Sequence, residues 1–572
     1  MSPDEICEMR WTLKAKPEEE VVKHLSEAIK VSPLVATLLI QRGIKNYEEA
    51  LNFFRPQLEH LHDPFLMKDM DLAVKRITEA IELKQNILIY GDYDVDGTTA
   101  VALVSSYLLS KYPNVATYIP DRYAEGYGVS YTGIDFAADN DISLIIALDC
   151  GIKALDKVAY AKEKGIDFII CDHHRPGSEL PDAVAVLDPK RPDCNYPYDE
   201  LCGCGIGFKL IQALEQQNGH TVEGIMPYLD LVATAIAADI VPITGENRVL
   251  AYFGLQVINQ QSRPGFRAIL KAINKSNLTV TDVVFIIAPR INAAGRMEHG
   301  RYAVSLLTET DPEKAGKMAA EIEKFNTDRR GLDQEITEEA LLQISENKEE
   351  DRYTSVVYKE GWHKGVIGIV ASRLIETYYR PTLVFTKSGD KLAASARSVR
   401  GFDLYNALEA CKGSLEQFGG HKYAAGLTLK ESQYEEFKAL FEEVVSKTIA
   451  PELLSPEIRI DAEITLADIT PKLMRILKQF EPFGPGNMKP VFLTHHLRDS
   501  GYAKGVGEGE KHLKLAVKQG NSNPIQGIGF NLGDKLPLVR DNNLFSLVYS
   551  LDENHWNGNI SLQLKIKDIR QA

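Results

Sequence analysis

Three aspartates alternate in the turn Gly91-Asp92-Tyr93-Asp94-Val95-Asp96-Gly97, between the apolar run NILIY and the apolar stretch TTAVALVSSYLL. Carboxylates crowded beyond a strand end converge on the crevice where α/β sheets gather ligands, so the turn predicts a pocket for hard divalent cations. A calcium loop of the helix-loop-helix type is excluded, because the glutamate required at its twelfth position would fall in VALVSS and is absent. The bland reading, a solvated acidic turn, must also accommodate two further runs. ISLIIALD ends in Asp149, and DFIICD ends in Asp172-His173-His174. A His-His pair alone reads more readily as a surface loop; beside these strand ends, and with Asp239 closing the mostly apolar stretch YLDLVATAIAAD, it reads as part of a ligand set. Oxygen ligands with one or two imidazoles suit manganese or magnesium better than zinc. Two such ions would support phosphoester hydrolysis without a serine or cysteine nucleophile.

The elements that must position these residues are set by periodicity. From about 86 to 240, the runs NILIYG, VATYIP, ISLIIALD, DFIICD and AVAVLD alternate with amphipathic stretches, which predicts a parallel α/β sheet. The boundaries expected are a helical segment at 1–70, the parallel-sheet domain at 71–310, a breaker-poor charged helix at 311–350, a smaller α/β domain at 351–452, and a β-barrel of short alternating strands and glycine turns at 453–572. The fold class is multidomain α/β with a C-terminal barrel, in keeping with 572 residues.

With 44% hydrophobic and 25% charged residues the chain has the composition of a globular protein. A net charge of −15 argues against an unselective polyanion binder, yet fits a protein that gathers carboxylates around cations. No apolar run is long enough to span a membrane, and the start lacks the order of a signal peptide, so the expected location is cytoplasmic with no membrane partner. The seven cysteines are odd in number and scattered, hence reduced. Cys202-Gly203-Cys204 has no second pair at zinc-like spacing and reads as a structural turn.

In order, GDYDVDG, LDCG, CDHH and AADIVP resemble the motifs of the DHH phosphoesterase superfamily. Within it, DRYAEGYGVS (121–130), PRINAAGRM (289–297), GWHKGVIGIVASRL (361–374), SARSVRGFDL (395–404) and FGGHKYAAG (418–426) resemble the single-strand-specific 5′→3′ DNA exonucleases, over nearly the whole chain. The resemblance implies metal ligands at Asp94, Asp96, Asp149, His173 and Asp239, with Asp149 bridging two Mn2+ or Mg2+ ions. Asp149 and Asp96 would thereby serve catalysis directly. Many relatives carry a histidine where this chain has Tyr90; tyrosine is a poor ligand at neutral pH, so the first ion would depend on Asp92 or on water. His174 would face the scissile phosphate, to stabilise charge or donate a proton.

The second α/β unit resembles the DHHA1 domain, with His421 in its glycine-rich segment. Arg290, Asn292, Arg296, Ser395 and Arg397 offer donors suited to phosphate oxygens, some of them for a 5′-terminal phosphate. Arg122 is a further phosphate contact, or else pairs with Glu125. The C-terminal region resembles an OB-fold, where Tyr502, Lys504, His512, Lys514 and Trp556 would supply stacking and charge, unless the aromatics belong to its core. The activity implied is 5′→3′ degradation of single-stranded DNA to 5′-mononucleotides in DNA repair and recombination. The partners implied are single-stranded DNA, a helicase and a single-strand-binding protein, with the enzyme a monomer. Two rivals stand beside it: a short-oligonucleotide or cyclic-dinucleotide phosphodiesterase, and a non-enzymatic single-strand-binding scaffold.

Overall fold

The five apolar runs between residues 86 and 187 form one all-parallel sheet, in the order Val115–Tyr118, Asn86–Gly91, Ile142–Leu148, Asp167–Cys171, Ala185–Leu187. The computed structural model describes residues 9–273, 275, 277–556 and 559–572, with backbone alone at 555, 556 and 559. Period-two alternation sends Ile87, Ile89, Leu144, Ile146 and Ile169 into one core, and Leu88, Tyr90, Ile145, Phe168 and Ile170 into a second core on the opposite face. Both faces are covered, which is why the runs are apolar throughout. Each such side chain contributes about 1.5–3 kcal/mol on burial. The first strand, Asn86–Gly91, has the second strand on one side and the third on the other, so the order of strand addition reverses between Asn86–Gly91 and Ile142–Leu148 while every strand stays parallel. That reversal opens the crevice beyond their carboxyl ends, and Asp92–Asp96 and Asp149 come directly after these two strands.

The chain divides into two compact units. One contains residues 14–325 and 461–572; the other contains 326–460 and the described residues up to 13. In the first unit the parallel sheet is joined by a seven-stranded sheet at 462–571, whose Phe492–Asp499 strand pairs with both Phe545–Trp556 and His512–Lys518 and so curls toward a barrel. In the second unit, Ser355–Tyr358, Thr382–Ser388, Lys391–Arg397, Ala424–Lys430 and Gln417–Gly420 build a mixed five-stranded sheet over Phe385, Phe437 and Phe441. The charged helix runs from Pro312 to Glu346 as expected.

Two expectations need correction. The segment at 1–70 is not only helical, because Arg10–Leu13 is a strand paired in parallel with Glu457–Ile460. The barrel boundary expected at 453 moves too, because the alternating run RIDAEITL at 459–466 is not one strand. It breaks at Asp461, which is buried and takes Lys14 Nζ at 2.7 Å and the Val491 N–H at 2.8 Å. The barrel therefore starts at Ala462 rather than near 453.

The helices between 19 and 54 and the barrel also share one core. Leu25, Val35, Leu38, Leu39, Ala50 and Phe53 pack in the same cluster as Phe480, Phe492, Leu515, Leu547 and Ile566. A chain ending at Pro451 would leave that helical face uncovered. We expect such a truncation to aggregate or to lose amide protection over residues 33–54, measured by hydrogen exchange; undiminished protection there would show that the helices fold without the barrel.

Candidate active site

Asp94 starts the helix Val95–Leu109, its carboxylate accepting the Gly97 N–H at 3.0 Å in the usual N-cap manner. Two residues on, the buried Asp96 accepts the N–H groups of Gly203 and Cys204, both at 2.7 Å. These belong to the first turn of the helix Gly203–Gln217, whose unpaired amides favour an anion. Cys202 caps the same helix through its sulfur, so the Cys202–Cys204 stretch is the structural turn expected. Gly203 admits no side chain, because a Cβ there would lie 2.6 Å from the Asp149 Cβ.

Asp149 sits at φ 59°, a left-handed conformation uncommon for a non-glycine residue. Its N–H is fixed by the Cys171 carbonyl at 2.8 Å. Asp172, the first residue of the DHH triplet, is a builder. Its Oδ1 accepts the His173 N–H at 2.8 Å and lies 2.7 Å from His174 Nδ1, while Oδ2 accepts the Ile152 N–H at 2.9 Å. His173 Nε2 then lies 3.2 Å from Asp149 Oδ1, 3.6 Å from Asp96 Oδ2 and 3.6 Å from Asp239 Oδ2. None of these approaches is aligned as a hydrogen bond. Both His173 ring nitrogens, Asp149 Oδ1 and Asp92 Oδ2 are buried without a hydrogen-bond partner. Lone pairs converging on one point without protons between them are what a divalent cation requires. Asp96, His173 and Asp239 form one such group, and Asp149, His173 and His174 another.

Tyr90 is not directed at this cluster. It points into the opposite core, stacked on Tyr118 with centroids 5.2 Å apart, and its hydroxyl donates to the Gly128 carbonyl at 3.0 Å and accepts the Ser130 N–H at 3.1 Å. The loop so fixed touches Asp92, which is fully buried and lies 3.4 Å from the Gly128 N–H. Asp92, which comes two residues after Tyr90, is the one at the cluster.

Burial and mutual repulsion dominate the electrostatics. Burial, reinforced by Asp94, raises Asp92 well above the usual carboxylate range; burial with Asp96 does the same to Asp149. Burial together with Asp96 and Asp94 pushes Asp239 up to about 8. His173 is lowered by burial, which favours its neutral form. His174 goes the other way: burial lowers it, but the hydrogen bond and charge of Asp172 prevail and raise it to about 9. Its Nε2 lies 3.3 Å from the Tyr127 hydroxyl.

Of the expected phosphate contacts, Arg122 lies 4.7 Å over the Tyr93 ring, and its charge acts on Asp92. It does not take Glu125, whose carboxylate is occupied by Tyr118, Ser130 and the Asp121 N–H. The helix Ala288–Met297 packs against the loop Gly91–Gly97, since a Cβ on Gly295 would meet the Tyr93 carbonyl at 2.8 Å. It brings Arg296 near Tyr93 and carries the half-buried Asn292. Arg290 pairs with Glu323 through Nε and donates from Nη1 to the Ile286 carbonyl at 2.8 Å. In the other unit, Arg397 Nη1 donates to Ser395 Oγ at 3.1 Å, beside Gly368 of the helix Ile367–Thr377; a Cβ on Gly368 would lie 2.8 Å from that oxygen. His421 is exposed, with its N–H on the Ala424 carbonyl. On the barrel, Lys504 and Lys514 lie 5.1 and 5.9 Å over the ring of Tyr502, which is surface-exposed rather than core. His512 packs edge-on against the exposed Phe530. The side chain of Trp556 lies outside the described residues.

Asp188 was missed in the sequence. It ends the fifth strand run, AVAVLD, and is fully buried; Oδ1 accepts the Lys190 N–H at 2.8 Å, and Oδ2 has no hydrogen-bond partner. Burial pushes it up to about 7. The strand-end rule that found Asp149 also points to it.

This fold and this cluster define a DHH phosphoesterase. Residues 86–236 match the DHH family N-terminal domain, 351–447 the DHHA1 domain and 460–568 the RecJ OB domain. The single-stranded-DNA-specific exonuclease RecJ of Bacillus subtilis is 37% identical over 570 residues, spanning 98% of this chain and 70% of that protein; the RecJ of Escherichia coli is 33% identical, spanning 94% and 96%. The crystal structure of Thermus thermophilus RecJ in complex with Mn2+ superposes with a TM-score of 0.85 at 27% identity, covering 99% of this chain and 80% of that one. The chain belongs to the RecJ family.

A histidine raised to about 9 stays protonated at neutral pH. Because its folded value lies above the ordinary 6.5, its stabilising contribution is complete below 6.5 and is lost as pH rises through 9. In chelator-treated protein, the His174 ring should titrate near 9 by NMR, and Asp172→Asn should bring the midpoint down. A midpoint unchanged in that variant would mean that Asp172 does not hold the charge.

Proposed function

We infer that this protein is a divalent-metal-dependent exonuclease that degrades single-stranded DNA from the 5′ end to 5′-mononucleotides, in DNA repair and recombination. The observation that carries the reading is the convergence of Asp96, Asp149 and Asp239 on His173 in a buried pocket with unpaired lone pairs. Its occurrence in a chain similar along its length to single-strand-specific exonucleases sets the substrate class. The same full-length likeness counts against the short-oligonucleotide and scaffold readings.

Two bound Mn2+ or Mg2+ ions would neutralise the cluster and lower the pKa of bound water enough to give a nucleophile at neutral pH. Asp92, Asp94, Asp96, Asp149, His173 and Asp239 would hold the ions, with Asp149, whose buried Oδ1 has no hydrogen-bond partner, as the residue both would share. The cationic His174, braced by Asp172, faces the scissile phosphate and stabilises its developing charge. Arg122, Asn292 and Arg296 border the metal loop and hold flanking phosphate oxygens. Ser395 and Arg397, beside the first turn of a helix, take the 5′-terminal phosphate. The Tyr502 and Lys504 surface, with Lys514, binds the strand further on by stacking and charge. An enzyme restricted to single strands depends on a helicase to expose them and competes with proteins that coat them. Buried free thiols such as Cys150 and Cys171 fit a reducing cytoplasm.

Strands labelled at the 5′ or 3′ end, single or duplex, should be degraded from the 5′ end only when single, with Mn2+ or Mg2+ and not with chelator. Asp149→Ala should lower the rate far more than tenfold while the fold persists. A variant keeping more than about a tenth of the wild-type rate, a barrier change of about 1.4 kcal/mol, would remove Asp149 from the mechanism.

The barrel's share is best tested by point substitution, since truncation would disturb the shared core. Replacing Lys504 and Lys514 by alanine should weaken binding of long strands and reduce the slope of log affinity against log salt by about 1.4. Cleavage of short oligonucleotides should be unaffected. Equal salt slopes for variant and wild type would place the strand elsewhere.

A further inference from the structure

The turn after Asp239 is clamped by a loop of the C-terminal β region. Asp239 ends the buried helix Leu229–Ala238, and the chain then passes through Ile240, at φ 60°, and Pro242–Thr244 into the helix Gly245–Gln260. Against this turn lies Gly484-Pro485-Gly486. The Ile243 N–H donates to the Pro485 carbonyl at 2.7 Å. A Cβ on Gly484 would overlap Ile243 Cγ1, and one on Gly486 would come within 2.8 Å of Thr244 Cγ2 and 3.5 Å of Pro242 Cβ. There is no room for even a methyl group.

The clamp is anchored from behind. Arg248, buried, donates to the carbonyls of Phe53, Gln479, Phe480, Glu481 and Pro482. Its charge therefore sits just past the carboxyl ends of the helices Tyr47–Phe54 and Pro471–Lys478, where carbonyls lack helical partners and favour a cation. Asn487 donates to the carbonyls of Phe480 and Pro482 at 2.7 and 2.9 Å and accepts Arg42 Nε at 2.9 Å. A platform that only stacked bases would need no methyl-tight contact with the turn behind the metal cluster.

We propose that Gly484–Gly486 is a positioning element of the catalytic centre: pressed against Ile243, it fixes the turn after Asp239 and so sets the Asp239 carboxylate for its cation. The inference rests on Asp239 being a metal ligand. It makes the β region necessary for hydrolysis even of strands too short to reach the Tyr502 surface. Outer contacts that orient a ligand are worth about 10–100-fold in metal affinity or activity.

The test uses full-length protein, a short oligonucleotide and Mn2+, with Mn2+ binding to the DNA-free protein followed by electron paramagnetic resonance. The variants are Asp239→Asn, Ile243→Ala, Gly484→Ala and the double variant Ile243→Ala with Gly484→Ala. Asp239→Asn should weaken Mn2+ binding. Ile243→Ala and Gly484→Ala should each raise the Mn2+ concentration for half-maximal rate by about tenfold or more, with most of the rate recovered at saturating Mn2+. In the double variant the new methyl occupies space the isoleucine vacated, and much of the Mn2+ affinity should return. If Ile243→Ala and Gly484→Ala bind Mn2+ as the wild type does while Asp239→Asn does not, the positioning role is wrong and the ligand assignment stands. If Asp239→Asn binds Mn2+ normally, the ligand assignment fails and this inference with it. Should Gly484→Ala not fold, Ile243→Ala, which only shortens a buried side chain, decides the matter.

Discussion

Like charges buried together at the carboxyl edge of a parallel sheet are the constraint around which this protein is organised. Asp92, Asp96, Asp149 and Asp239 are driven upward in pKa by burial and by neighbouring carboxylates, Asp94 acting on all four. A pocket of this kind is unfavourable with every group ionised unless cations enter it. The folded scaffold must therefore hold the carboxylates in place against their own repulsion. It does so with oriented backbone amides, from Gly203 and Cys204 onto Asp96, and from Gly97 onto Asp94.

Each supporting feature answers a demand of that pocket. Asp149 accepts a left-handed backbone to place its carboxylate beside His173, and Gly203 forgoes a side chain to let it in. Asp172 accepts hydrogen bonds from the turn and holds the charge of His174, while burial keeps His173, which faces the cluster, toward its neutral form. Tyr90, unable to serve as a ligand, braces the loop that touches Asp92.

An acidic protein that acts on a polyanion must confine its attraction to chosen places. Net charge −15 repels nucleic acid in general, while Arg122 and Arg296 near Tyr93, and Lys504 and Lys514 over Tyr502, place positive charge locally. The barrel carrying that surface is not an appendage. It completes the core of the helices between 19 and 54 and presses on the turn behind Asp239.

The carboxylate-bearing strand ends, the DHH triplet and the order of the domains were legible in the amino-acid sequence because each is a local pattern. Alternation with period two declares a strand, and the residues just past its carboxyl end lie at the sheet's edge whatever the rest of the chain does. The same rule would have found Asp188. Other assignments could not be read that way. Which face Tyr90 takes, and that its hydroxyl is engaged by residues 128–130, depend on packing across the sheet. The pairing of Arg290 with Glu323 joins residues 33 apart on two different helices. The break at Asp461 and the core shared between the first helices and the barrel join segments more than 400 residues apart, as the bond from Arg42 to Asn487 does. Side-chain type and spacing determine chemistry and secondary structure, since both act over a few residues. Partners chosen among distant segments depend on shape and charge that exist only once the chain has folded, and tertiary structure alone decided those.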